Sequence, residues 1–227
     1  MHTVKYFVVL FFIFQLSSCQ TPTQTSSVTK EIKFLALGDS YTIGQSVMES
    51  DRWPVQLAAK LNGEGIACEP PRIIAQTGWR TDQLKQAITN AAIQSNEYNL
   101  ISLLIGVNNQ YQNRSTGEYA TEFEELLNMA IALADGKKEN VFVVSIPDYG
   151  YTPFGQANQL FISGEIDQFN LINRSIAQQA GVAYFYITDI SRRGLAEPSL
   201  VASDGLHPSG AMYAEWVELI YHGLQLK

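Results

Sequence analysis

The chain has 227 residues, 46% of them hydrophobic and 16% charged, with a formal net charge of −7. That length suits one domain with one sizeable core, and an acidic chain with no cluster of Lys and Arg lacks the surface needed to displace counterions from a phosphate backbone, which excludes nucleic acid as a partner. The two cysteines, Cys19 and Cys68, are too few for a thiolate metal site, and they lie in such different contexts that no disulfide is expected between them. Cys68 then reads as a free thiol that behaves as a small apolar side chain.

Lys5 opens the chain with a positive charge, and residues 6–16 form an apolar run of secretory-signal length, too short to span a bilayer comfortably. The sequence Leu16-Ser17-Ser18-Cys19 resembles the bacterial lipobox, which implies cleavage before Cys19 and acyl chains on that cysteine. Several chains on one residue anchor a protein stably where a single chain does so only marginally. Residues 20–30 are rich in Thr, Ser and Gln without apolar periodicity, the composition of a flexible tether. The expected organisation is therefore a lipoprotein signal over residues 1–18, a tether over 19–31 and a single folded domain over 32–227. The expected address is the bacterial cell envelope, on its periplasmic or surface face, with the membrane reached through the lipid anchor only.

From residue 32 onward, strand-like apolar runs alternate with helical patterns, the signature of a parallel sheet with helices on both faces. The strands are expected at residues 32–37, 72–75, 100–105, 141–146 and 182–187. Helices are expected at 53–61, with Pro54 in the first turn and Gly63 and Gly65 closing it, at 81–95 with Thr81 as its cap, and at 118–134, 165–180 and 210–224. Residues 147–164 break this pattern with turn formers and aromatics and are expected to form a long loop, as are residues 188–209.

The first strand runs into Gly38-Asp39-Ser40-Tyr41, which sets a serine hydroxyl at the carboxyl edge of the sheet, where open α/β folds keep their sites. A serine needs a base, and of three histidines His2 lies in the leader and His222 near the end of the last helix, leaving His207. Asp204 lies three residues before it in Asp204-Gly205-Leu206-His207-Pro208, a spacing that lets the carboxylate accept the imidazole Nδ1 proton while Nε2 faces out. Three donors for an oxyanion follow three consecutive strands: the Ser40 N–H, the Gly78 N–H and the Asn108 amide. Asp39 reads as a structural turn acid. Tyr41, Trp79, Tyr111, Tyr149 and Phe154 are candidates to line an aromatic cleft for a sugar ring or an acyl group.

Gly-Asp-Ser-Tyr, Gly78, Gly-Val-Asn-Asn at residues 106–109 and Asp-Gly-Leu-His-Pro, taken in that order, resemble the blocks of the SGNH (GDSL) hydrolase superfamily, and the resemblance covers residues 33–224. It implies a three-layer α/β/α, flavodoxin-like domain with Ser40 as nucleophile, His207 as base and Asp204 as its orienting acid, and Ser40, Gly78 and Asn108 as oxyanion donors. The third block departs from the family's usual Gly-x-Asn-Asp by placing Asn109 last. The implied activity is ester hydrolysis through an acyl-enzyme, without metal or cofactor, on a carbohydrate or lipid ester of the envelope. A lysophospholipase or acyltransferase with the same triad, and a non-catalytic surface module that binds glycan, stand as the alternatives.

Overall fold

Five apolar runs become strands: β1 (Phe34–Gly38), β2 (Arg72–Ala75), β3 (Leu100–Leu104), β4 (Val141–Val144) and β5 (Ala183–Phe185). The structure, a computed structural model, describes residues 1–6 and 31–224. The apolar core of the expected leader, Cys19 and the tether over residues 20–30 lie outside the described residues. Among those described, no helix is long and apolar enough to cross a membrane.

All four strand pairings are parallel, in the order β2-β1-β3-β4-β5. The three central strands are buried on both faces, which is why they read as continuous apolar runs instead of alternating. Among the described residues eight α-helices connect or follow the strands: α1 (Ser40–Ile43), α2 (Trp53–Gly63), α3 (Thr81–Asn90), α4 (Val107–Tyr111), α5 (Thr116–Leu133), α6 (Gln159–Ala180), α7 (Thr188–Ser191) and α8 (Gly210–Gly223). They cover both faces of the sheet, with α2 packed on α8, and α5 packed on both α3 and α6. Trp53, Leu57 and Leu61 of α2 and Trp216, Val217 and Ile220 of α8 are all buried, each side chain contributing about 1.5–3 kcal/mol by leaving water.

The expected three-layer α/β/α architecture with a five-stranded parallel sheet is the one found, and its boundaries shift where local chemistry intervenes. β4 ends at Val144 because the Asn170 side chain takes over the ladder, accepting the Ile146 N–H at 2.8 Å and donating to the Ile146 carbonyl at 2.9 Å. The helix expected at 81–95 stops at Asn90, and Ala92 adopts a left-handed φ of 47°. The long loop over 147–164 is shorter than expected, since α6 begins at Gln159 and carries Gly164 on an exposed face with nothing nearby. Burial of Ile162, Ile166 and Phe169 along one face outweighs the roughly 1 kcal/mol that a mid-helix glycine costs. The stretch 188–209, expected to be loop, contains α7 and a short 3₁₀ turn at Pro198–Leu200.

The sheet order reverses between β1 and β3, so the chain leaves these neighbouring strands in opposite directions and opens a crevice at their carboxyl ends. Ser40 follows β1 and Asn108 follows β3, which brings residues 68 positions apart to one edge. Gly38 makes the approach possible, because a Cβ there would collide with Thr42 Oγ1 and the Leu104 carbonyl.

Candidate active site

Ser40 is the first residue of α1, with Asp39 as the helix cap: Asp39 Oδ1 accepts the Tyr41 N–H at 3.0 Å. The carbonyl of Ser40 accepts from Gly44 and Gln45, while its own N–H, in the first helical turn, has no acceptor within the helix. The side chain is buried but reaches a cleft, so an attacking hydroxyl here is partly shielded from water.

His207 enters the same cleft from the loop before α8. Its Nδ1 lies 2.7 Å from Asp204 Oδ2, and an imidazole facing a carboxylate through Nδ1 keeps its proton there, leaving Nε2 with the lone pair. The other carboxylate oxygen, Oδ1, accepts the backbone N–H groups of Leu206 at 2.9 Å and His207 at 3.0 Å, so one side chain shapes the turn and orients the ring. Desolvation works against ionisation of Asp204, but the Ser46 hydroxyl, these N–H groups and His207 outweigh it and hold the carboxyl well below the usual carboxylate range. Tyr41 closes the back of the ring, edge-on at 5.7 Å between centroids.

Gly78 and Asn108 complete the polar lining. The sequence reading gave Gly78 its place because it has no side chain to obstruct an approach. The reason found is different: a Cβ would meet nothing within 4 Å, but the backbone is left-handed at φ +86°, a conformation that costs other residues about 1–2 kcal/mol. Asn108 stands in the first turn of α4, after Gly106 at φ 133°, and one of its two amide protons goes to the Trp79 carbonyl at 2.9 Å. That bond fixes the amide plane and leaves the second proton free to donate.

The cleft holds about 180 Å³ and is also lined by Tyr41, Thr77, Val107, Tyr111, Tyr149, Phe154 and Leu206. Tyr111, Tyr149 and Phe154 form a triangle with centroids 6.2–6.3 Å apart. Tyr149 is held in place by its hydroxyl, which donates to Gln110 Oε1 at 2.9 Å, whereas Tyr111 and Phe154 are more than half exposed at the rim. Trp79 is a correction: its side chain packs half-buried against the core and does not line the cleft, and its contribution to the site is the carbonyl that holds Asn108.

The sequence matches the model of the GDSL-like lipase/acylhydrolase family over residues 36–215, a span that contains Ser40, Gly78, Asn108, Asp204 and His207. The chain belongs to this family. As a GDSL-like acylhydrolase it is a carboxylic ester hydrolase. Among solved structures, TesA superposes with a TM-score of 0.67 at 15% identity, over 85% of this chain and 98% of that one. Axe2, an acetylxylan esterase from Geobacillus stearothermophilus, gives 0.65 at 17% identity, over 86% and 95% of the two chains. The lipase/acylhydrolase from Enterococcus faecalis gives 0.66 at 16% identity, over 86% and 98%. At these identities the likeness is one of fold. No curated protein sequence matches the chain.

Four features of this acylhydrolase site were not expected from sequence. Ser46 donates to Asp204 Oδ2 at 2.6 Å, and Thr77, on the cleft wall, donates to Gln45 Oε1 at 2.6 Å. Asn109 does not face the cleft but is fully buried under it, accepting the Thr81 N–H at 3.1 Å and donating to Thr81 Oγ1 at 2.6 Å, while Thr81 Oγ1 donates in turn to Glu122. The loop bearing Tyr149 and Phe154 is fastened at both ends. Buried Asp148 pairs with Arg192 Nε at 3.0 Å, and the Phe154 N–H donates to the Gly205 carbonyl at 3.0 Å.

Proposed function

We propose that the protein is a serine esterase that removes a short acyl group from a carbohydrate ester through an acyl-enzyme. Ser40 Oγ attacks the ester carbonyl as His207 Nε2 takes its proton, and the oxyanion that forms accepts hydrogen bonds from the Ser40 N–H, the Gly78 N–H and the Asn108 amide. The C–O bond to the leaving alcohol breaks as His207 returns the proton to it. Water then repeats the sequence on the acyl-serine and releases the free acid, with Asp204 holding the imidazole in the correct tautomer throughout. The observation that carries this reading is the convergence of Ser40, Gly78, Asn108 and His207 on one cleft, with Asp204 on the far nitrogen of His207 at 2.7 Å.

The substrate class rests on volume and lining. At about 180 Å³ the cleft is smaller than the roughly 300–1,000 Å³ of sites for drug-sized ligands, which suits a short acyl group and argues against a long chain. The Tyr111–Tyr149–Phe154 triangle offers aromatic faces at the rim for the alcohol part, and the acetylxylan esterase Axe2 shares the fold. We place the protein in the cell envelope on a lipid anchor at Cys19. A lipid ester is the second reading, favoured by the exposed apolar side chains of Phe154 at that rim and of Leu160 and Phe161 at the start of α6.

The test is hydrolysis of acetylated sugars, short and long aryl esters and lysophospholipid by the wild type and by Ser40→Ala. Acetylated sugars and short esters are expected to turn over, and Ser40→Ala to be inactive on all of them. Turnover at the wild-type rate by Ser40→Ala removes the triad, and preference for lysophospholipid moves the assignment to the second reading.

A further inference from the structure

The loop that follows the nucleophile's own helix reaches across to the acid. α1 ends at Gly44, and the chain continues through Gln45, whose N–H is bonded to the Ser40 carbonyl at 3.0 Å, to Ser46, whose hydroxyl donates to Asp204 Oδ2 at 2.6 Å. The same oxygen faces His207 Nδ1 at 2.7 Å, so it takes one donor from the base and one from the nucleophile's segment, 158 residues away in the chain. Ser46 makes this bond from a left-handed backbone, φ 68°, where glycine or asparagine would sit with less strain. A side chain held in a disfavoured conformation with its one polar atom spent on the orienting carboxylate has a reason to be serine.

We infer that Ser46 is a positioning residue of the esterase, which fixes the Asp204 carboxylate in the plane of the imidazole and shares its charge. The inference rests on the roles proposed above for Ser40, Asp204 and His207. With Oδ1 accepting from the Leu206 and His207 N–H groups and Oδ2 facing His207 and Ser46, each carboxylate oxygen has two protein partners that set its orientation. Removing the Ser46 hydroxyl leaves Oδ2 to the imidazole alone, so the carboxylate loses the contact that holds it from the nucleophile's side. The ionisable groups around this pair are Tyr41 from α1, against the imidazole, Tyr213 from α8, which feels the Asp204 charge, and Asp148 and Tyr149 from the loop after β4, which border a small cavity behind His207. Asp148 is committed to Arg192 and the Gly150 N–H, which leaves Ser46 the one side chain besides His207 that donates to Asp204 among the described residues.

The test uses the full chain and two variants, Ser46→Ala and Ser46→Gly. Glycine relieves the backbone strain, so Ser46→Gly is expected to melt no lower than the wild type while losing the same hydroxyl. Water reaches this face of the carboxylate, so the expected loss is that of one ordinary hydrogen bond, a fall in kcat of roughly threefold to tenfold, with KM changed less than about twofold. Ser46→Gly with wild-type kcat, or with KM changed as much as kcat, overturns the inference. Ser40→Ala run beside them separates the two claims: if Ser40→Ala is active, the triad reading fails, and if it is inactive while Ser46→Gly behaves as wild type, only the role of Ser46 fails.

Discussion

Asp39 is fully buried beside Ser40, with Oδ1 capping α1 and Oδ2 without a hydrogen-bond partner among the described residues. Burial is the largest influence on it and raises its pKa from 3.8 to about 7, against the backbone N–H groups of Tyr41, Asp39 and Gly106, which favour the charged form. The unfolded chain therefore gives up this proton first, and folding stability falls as pH rises from 3.8 to about 7 and stays low above that. The full gap corresponds to about 4 kcal/mol, of which roughly 2–3 kcal/mol is lost between pH 5 and pH 8. Asp204 has the opposite sign: its lowered pKa gives stability that is present above 3.8 and is lost only in strong acid, so the two acids do not mask each other in this window. Asp39→Asn keeps the accepting oxygen and cannot ionise. In urea unfolding at pH 5 and pH 8, its stability relative to the wild type is expected to rise by roughly 2–3 kcal/mol between the two conditions. Asp39→Ala loses the cap as well and should be weaker than Asp39→Asn by about 0.5–2 kcal/mol at both. A difference between Asp39→Asn and the wild type that is the same at both pH values would refute the argument, because it would mean the buried carboxyl does not titrate between them.

Asn108→Ala is expected to lower kcat by about 10²–10³ with little change in KM, the loss typical of one oxyanion donor, and steady-state kinetics within threefold of the wild type would show the donor to be misassigned. Asn109→Asp should destabilise the fold by about 1–3 kcal/mol in thermal or urea unfolding, because it removes the donor to Thr81 Oγ1 and sets a buried carboxylate near the half-buried one of Glu122. Adding Glu122→Gln should restore most of that loss; a double variant no better than Asn109→Asp would show that the two positions are not coupled.

What was legible in the sequence was legible because it is local. Asp204 and His207 share one turn, so their spacing already contained the hydrogen bond, and Ser40 follows directly from the end of a strand whose apolar run is unmistakable. Gly78 was found for an incomplete reason, since a sequence does not display φ. Trp79 was expected to offer its ring and offers its carbonyl, because the side chain found room in the core. The start of α6 was hidden by Gly164, a residue that argues for a turn until Ile162, Ile166 and Phe169 are seen to share a buried face. Ser46 carried no signal at all: its partner is 158 residues away, and a serine in a polar loop is the commonest thing there is.

Asn109 shows how a departure from a family pattern becomes readable once its neighbours are known. The position supports the site from beneath, holding the start of α3 against the first turn of α4 and so keeping Asn108 over the cleft. A carboxylate there would accept both the N–H and the hydroxyl of Thr81. In this chain the hydroxyl proton is already given to Glu122 from α5, so Thr81 Oγ1 has only lone pairs left to offer and needs a donor opposite it, which the asparagine amide supplies and an aspartate does not. The negative charge in this corner sits on the half-buried Glu122, where water shares the cost of keeping it, and the buried position 109 stays neutral. Asn109 and Glu122 are thus matched to each other through the Thr81 hydroxyl, and together they tie α4, with Asn108 on it, to the start of α3.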